Sequence, residues 1–293
     1  MLIVRLIADT ETLGDRLAVA MAEIEETGAE VVGAGMLETN PDVLELEVED
    51  SDAITLRRVI EAHFGDADLL IAQAPIALPG LFVSDMDSTM IGQECIDELA
   101  DFAGLKPQIA AITERAMRGE MDFGAALRER VALLKGLPEV VIKQCLDERI
   151  RPMAGAATLV RTLKAHGAHC VLVTGGFHAF ADPVAQMLGF DRVVGNHLAV
   201  ADGVLTGEVS GAIVDGGVKR AVLAEETARL SGASSLATGD GANDIPMLIA
   251  ATCGIAFHAK PKAREAADGR VDQGDLTAIL DLYGIPREAW VMS

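Results

Sequence analysis

Apolar and polar positions follow two rhythms along this chain, and the change of rhythm divides it. Through residues 2–73 short stretches of period two are interleaved with helical ones. Leu2–Ala8 and Glu30–Glu38 read as strands, and Val43–Val48 sets Val, Leu, Leu and Val against acidic partners, the pattern of a half-buried strand. Asp15–Thr27 repeats its apolar residues at helical spacing. Asp52 stands where a cap would open a second helix to about Phe64, and Asp68–Ala72 adds a last short strand. The order β-α-β-β-α-β predicts a ferredoxin-like sandwich. Pro75–Gly80, with two prolines and a glycine, predicts a boundary between a domain of residues 1–76 and one of residues 77–293.

From Leu81 the pattern changes. An apolar strand comes first, and residues 93–148 then read as helical, punctuated at Gly104, Gly119 with Asp122, and Gly136-Leu-Pro138 into four helices. Helices and short buried strands alternate afterwards: 154–166, 170–174, 181–188, 192–194, 218–230, 236–238 and 253–256. Such alternation predicts an α/β architecture, a parallel sheet covered on both faces, with the helical block (about 93–150) inserted as a cap. Residues 197–210, with Asp202-Gly203 between alternating apolar positions, predict a hairpin beside the sheet.

Half of the 293 residues are apolar, so a sizeable core is assured, and with 3% aromatics it is built chiefly from Ala, Val, Leu and Ile. The 45 acidic and 24 basic side chains leave a formal charge of −21. Such a surface repels phosphate backbones, so nucleic acid is not an expected partner. An anionic substrate would need local positive charge or a metal. Cys95, Cys145, Cys170 and Cys253 are scattered without CxxC pairs and read as buried, reduced thiols. Neither a signal peptide nor a membrane-spanning run is visible, which predicts a soluble cytoplasmic protein.

The candidate chemistry lies at strand ends. Asp85-Met-Asp87-Ser-Thr89 sets two carboxylates at the carboxyl end of a buried strand, the edge at which open α/β sheets bind ligands. Two carboxylates so close repel unless a cation lies between them or they share a proton. A metal-bound carboxylate can attack phosphorus, and its partner two residues on can protonate a leaving alkoxide and then activate water. A calcium loop is disfavoured, because Met90 and Ile96 stand where Gly and Glu are required. The plainer alternative is a helix start capped by Asp-Ser-Thr.

Thr238-Gly-Asp240-Gly-Ala-Asn243-Asp244 follows another apolar strand and would bring Asp240 to the same edge as a third carboxylate, unless it is only a turn capping helix 245–250. Val173-Thr174-Gly175-Gly176-Phe177 ends a strand with a hydroxyl and glycine N–H groups that can hold phosphoryl oxygens, or forms an ordinary turn. Lys219, after Asp215-Gly-Gly, either neutralises transition-state charge or is a solvated lysine at a helix start. No GK[ST] follows the glycines, so nucleotide-binding readings lose ground.

Taken in order, Asp85-Met-Asp-Ser-Thr89, Thr174-Gly-Gly176, Lys219 and Gly239-Asp-Gly-Ala-Asn-Asp244 resemble the haloacid dehalogenase superfamily. Residues 81–283 are similar to its phosphoserine phosphatases. The resemblance implies a Rossmann-like core. It makes Asp85 the phosphorylated nucleophile and Asp87 the general acid/base, also bound to Mg2+ through its backbone carbonyl. Mg2+ would then be held by Asp85, Asp87 and Asp240. Asn243 would contact phosphate or water, Asp244 would support the site, and Lys219, Thr174 and Gly175 would face the phosphoryl oxygens. The cap segments Gln93-Glu94, Met121-Asp-Phe123 and Arg128–Lys135 also match the family pattern. They give Glu94 to a substrate ammonium, Arg130 to its carboxylate and Phe123 to closure of the pocket. Read without the resemblance, Arg130 is a charge on an exposed helix and Glu94 a first-turn helix acid. Thr174 departs from the Ser usual in that family but keeps the hydroxyl.

The resemblance thus implies a Mg2+-dependent phosphatase that converts O-phospho-L-serine to L-serine and phosphate through an aspartyl-phosphate, the last step of L-serine biosynthesis. Its rivals are hydrolysis of another small phosphomonoester, phosphoserine:homoserine transfer, and a non-enzymatic receiver or amino-acid sensor. Residues 1–76 are similar to ACT domains. Their Asp9–Asp15 loop is a candidate L-serine site, with a structural or homodimer-forming role as the alternative.

Overall fold

The computed structural model describes residues 1–7, 13–65, 67–117 and 120–292. The first unit runs β1 (Leu2–Ile7), α1 (Leu13–Glu26), β2 (Glu30–Leu37), β3 (Asn40–Glu49), α2 (Ala53–Phe64) and β4 (Leu69–Ala72). Asp52 caps α2 by accepting from Ile54 N at 3.0 Å and Thr55 N at 2.9 Å. Strand order β2-β3-β1-β4 with antiparallel neighbours is the ferredoxin-like arrangement that the alternation predicted. Residues 9–12 of the Asp9–Asp15 loop lie outside the described residues.

The second unit opens with β5 (Leu81–Ser84), and four helices follow before the sheet resumes: α3 (Cys95–Phe102), α4 (Lys106–Met117), α5 (Phe123–Leu133) and α6 (Val140–Arg149). The chain then forms α7 (Ala156–Ala165), β6 (His169–Phe177), α8 (His178–Leu188), and the pair β7 (Arg192–Ala201) and β8 (Val204–Ser210). After them come α9 (Gly216–Arg229), β9 (Ser235–Gly239), α10 (Ile245–Ala250), β10 (Cys253–Phe257), α11 (Pro261–Ala266), β11 (Gly269–Val271) and α12 (Ala278–Leu282). Strands β7 and β8 form the expected hairpin, with His197 opposite Ser210. Strand β6 outlasts its predicted end and carries Thr174–Gly176 inside it as an irregularity.

Strands β11, β10, β9, β5, β6 and β7 are parallel in that spatial order, and β5 and β9 are buried throughout. The earliest strand, β5, lies between β6 and β9, so chain order reverses across the β5–β9 pair. Crevices open at such switch points, beyond the carboxyl ends of the strands. Separate apolar clusters pack on the two faces of this sheet, and a third fills the first unit.

The two units share one 11-stranded sheet, because β4 pairs antiparallel with β11 across the proline-rich connection. Around that seam the Asp68 carboxylate accepts from the N–H groups of Asp272, Gln273 and Gly274 at 2.6, 2.9 and 2.9 Å. Buried Arg270 pairs with Glu61 and Asp272. The four cysteines are free, three of them buried and Cys253 half-buried. Among the described residues no helix is long and apolar enough to cross a membrane.

Candidate active site

Two acidic turns meet at the switch point. Asp85 follows β5 directly and Asp240 follows β9, and Asp85 N–H donates to Thr238 O at 3.0 Å, joining the strand ends. Beyond Asp85 the chain turns tightly: the N–H groups of Thr89, Met90 and Ile91 converge on Met86 O, and Ser88 adopts a left-handed φ of 56°. A non-glycine residue in that region is sparsely populated and collects at functional turns.

Lys219 comes to the same point from the first turns of α9, which Asp215 caps by accepting from Val218 N at 3.0 Å. Gly216 admits the helix, since a Cβ there would lie 2.7 Å from Asn243 O. The Lys219 ammonium is fully buried, 2.7 Å from Asp85 Oδ1 and 2.6 Å from Asp244 Oδ1. Burial alone would lower its pKa, but the carboxylates of Asp85 and Asp244 hold it above the ordinary lysine range. Asp244 has both oxygens engaged, Oδ2 accepting from Gly241 N at 3.0 Å. Asp85 takes both of its donors, Lys219 and its neighbour Met86 N, on Oδ1.

Asp85, Asp240 and Asp244 bring carboxylate oxygens within 4.8 Å of one another, all three residues buried. Buried Lys219 and the exposed Lys260 beside Asp240 do not balance three carboxylates. Burial, and then the Asp244 charge, raise the Asp85 pKa well above the usual range, and burial raises Asp240 despite Lys260 nearby. A hard, divalent, oxygen-seeking cation fits this donor set and its excess negative charge. Asp87 lies outside that cluster. Burial first and Glu94 second push its carboxyl up to about 7, although Cys95 N–H opposes the shift.

Asp85, Asp87 and Asp240 line a cleft of about 1070 Å³ between the sheet edge and the helical insertion. Thr174 Oγ1 accepts from Gly176 N at 2.8 Å on one wall. Phe123, at the start of α5, lies over that wall so closely that a Cβ on Gly175 would be 2.8 Å from its Cζ. Arg130 of α5 also faces the cleft, half-buried rather than on the exposed helix face that sequence alone suggests. Burial lowers its pKa, and Asp97 and Glu94 oppose that shift. Exposed Glu94 also lines the cleft and accepts from Ser88 Oγ at 2.9 Å. Asn243 also lines the cleft, so each catalytic, metal and phosphoserine-contacting residue expected from sequence is in or directly behind it.

A model of haloacid dehalogenase-like hydrolases matches residues 82–248, which is more than half of the chain. A phosphoserine phosphatase of Albidiferax ferrireducens is 48% identical over 210 residues, covering 69% of this chain and 89% of that protein. The chain belongs to the haloacid dehalogenase-like hydrolases. The solved HAD-family hydrolase of Salmonella enterica serovar Typhi superposes with a TM-score of 0.82 at 30% identity, over 97% of this chain and 99% of that one. An unliganded probable phosphoserine phosphatase from Vibrio cholerae gives 0.75 at 31% identity, over 98% and 87%. Both solved hydrolases are matched across the first unit as well as the second.

Three further residues of this hydrolase line the cleft without having been singled out. Asp97 stands three residues after Glu94, on the same helical face, and its buried Oδ1 has no hydrogen-bond partner. The i,i+3 spacing of two acids at a helix start was a usable signal. Lys260 enters from the end of the loop after β10 and Lys262 from the first turn of α11, Lys260 Nζ lying 3.6 Å from Asp240 Oδ2. They supply the local positive charge that an acidic protein needs at an anion site, and nothing in their sequence setting marks them.

Proposed function

We propose that this hydrolase converts O-phospho-L-serine to L-serine and phosphate through a phosphoryl-Asp85 intermediate, with Mg2+ in the carboxylate cluster. One observation carries the reading. A nucleophile-and-acid pair at the switch point opens into a cleft that is also lined by Glu94 and Arg130, charges of opposite sign suited to an ammonium and a carboxylate. Relatives named for this activity support it.

In the proposed cycle Asp85 attacks phosphorus through Oδ2, the oxygen its two donors leave unoccupied. As that bond forms, the bond from phosphorus to the serine oxygen breaks, and Asp87 gives the departing oxygen its proton. The ionised Asp87 then takes a proton from water, which attacks the phosphoryl group and frees Asp85. Lys219, the Thr174 hydroxyl and the Gly175 N–H face the equatorial oxygens, and Asn243 contacts phosphate or water. Asp85, Asp240 and the backbone carbonyl of Asp87 would hold Mg2+, which when bound neutralises phosphoryl charge. Asp244 props Lys219, and Phe123 shields the bond from bulk water.

On this reading the reaction is the last step of L-serine biosynthesis, run in the cytoplasm. The first unit would carry L-serine binding or a homodimer contact, for which calorimetry with L-serine on the full chain is the direct measurement. The reaction itself is tested by phosphate release from phosphoserine, with and without homoserine as acceptor to separate hydrolysis from transfer. Asp85→Asn is expected to abolish release while leaving the fold intact. Arg130→Ala is expected to raise KM for phosphoserine and spare a simpler phosphoester. Appreciable turnover by Asp85→Asn would remove Asp85 from the nucleophile's role.

A further inference from the structure

Strands β6 and β7 pair through Val173 and Val194, and the pairing resumes at Phe177 and Asn196. Thr174, Gly175 and Gly176 therefore lie opposite a single residue, Gly195. A bulge of this kind leaves backbone groups without ladder partners, and buried groups need substitutes.

Asn196 provides one. It is 1% exposed, outside every motif considered above, and hydrogen-bonded at both ends of its amide. Its Nδ2 donates to Gly175 O at 2.8 Å, and its Oδ1 accepts from Val214 N at 2.9 Å. The carbonyl of Gly175 and the N–H of Gly176 belong to one planar peptide unit, so holding the first orients the second. That N–H is the donor to Thr174 Oγ1. With its oxygen occupied as an acceptor, the Thr174 hydroxyl keeps its own proton to give towards the cleft. At the other end, Val214 directly precedes Asp215, the cap of the helix that carries Lys219. A single amide thus links two segments between which a phosphoryl group would sit. The fit is close: a Cβ on Gly195 would lie 3.3 Å from Thr174 Cγ2 and 3.4 Å from Gly176 O.

We propose that Asn196 is a positioning residue for phosphoryl transfer, holding the Gly175–Gly176 peptide so that the Thr174 hydroxyl donates into the phosphate site. The inference deepens the phosphatase reading and rests on it. An amide suits the position because one end must donate and the other accept. Asp would keep the acceptor for Val214 N–H but set an oxygen against the Gly175 carbonyl, and Ala would supply neither bond.

The test is a double-mutant cycle with thermal melts on Asn196→Asp, Thr174→Val and their combination. The Asn196→Asp variant is expected to lose kcat on the order of 10²-fold, as a displaced reacting geometry does, with little change in KM. In the combined variant the loss should scarcely exceed that of Thr174→Val alone, since the hydroxyl through which Asn196 acts is gone. Independent, multiplying losses would overturn the proposal, as would a loss of activity that merely follows a lowered melting temperature. Should the Asp variant fail to fold, Asn196→Ser carries the same cycle. Running p-nitrophenyl phosphate in parallel separates the two readings: a wild-type chain that cleaves it but not phosphoserine defeats the substrate assignment, while the cycle on that ester still decides the role of Asn196.

Discussion

Asp85 and Asp87 are two residues apart in the chain, and although burial raises the pKa of both, they differ in what holds them. Asp85 is held by Lys219 and its own neighbour's N–H, a setting that fixes its orientation. Asp87 is met by Cys95, through its N–H at 3.5 Å and its thiol, and its carboxyl is pushed up to about 7 by burial first and Glu94 second. A raised carboxyl pKa keeps the proton on up to near neutrality, which suits a general acid. With an alkyl phosphate, whose leaving group needs that proton, kcat is expected to fall as pH rises through the Asp87 value. Asp87→Asn should cost about 10²–10⁴-fold on such an ester. It should cost far less on p-nitrophenyl phosphate, whose phenolate leaves unaided. Equal losses on both esters would show that Asp87 does not move the proton.

At the scale of elements, most of this architecture is legible before any coordinates. The buried strands β5 and β9 read directly as apolar runs, and the acidic turns that follow them mark the sheet edge. Gly104, Asp122 and Gly136-Leu-Pro138 fall between the cap helices as expected, while Gly119 lies outside the described residues. Other features escaped for physical reasons. Strand β11 is three residues, Gly269-Arg-Val, too short to show any period, yet it joins the two units into one sheet. The Thr174–Gly176 bulge is hidden because a glycine pair looks like a turn. Arg130 and Glu94 carry no local sign that they face inward; only the packing of α5 and α3 over the sheet edge decides it.

Close approach is another property that the chain does not advertise. At the end of β9 a Cβ on Gly239 would fall 2.4 Å from Asp244 Cγ, a separation that no relaxed structure tolerates. Gly239→Ala is therefore expected to push Asp244 off the Lys219 ammonium, lowering kcat by at least tenfold, on the order of a displaced supporting group. A variant with wild-type kcat and an intact fold would mean that Asp244 tolerates the displacement.

Across the whole molecule the charge is lopsided, 45 acidic groups against 24 basic ones. Self-repulsion of that excess opposes the compact state, and salt screens it, with a Debye length of about 10 Å at 0.1 M. Salt also weakens surface pairs such as Lys143–Asp147, but with both partners well exposed such pairs contribute little, so repulsion decides the sign. Sodium chloride is thus expected to raise the melting temperature near neutral pH. The effect should fade in acid, where carboxylates take protons and the excess shrinks. A divalent cation adds a second, saturable effect, because binding to the native state alone stabilises by about 2.7 kcal/mol at a hundred times Kd. Magnesium and sodium chlorides compared at equal ionic strength separate the two. Wild-type protein should melt higher in magnesium, whereas Asp240→Asn should keep the sodium response and lose the magnesium increment. Retention of that increment would place the cation elsewhere, and a melting temperature that falls with sodium chloride would show that paired charges outweigh the net charge of −21.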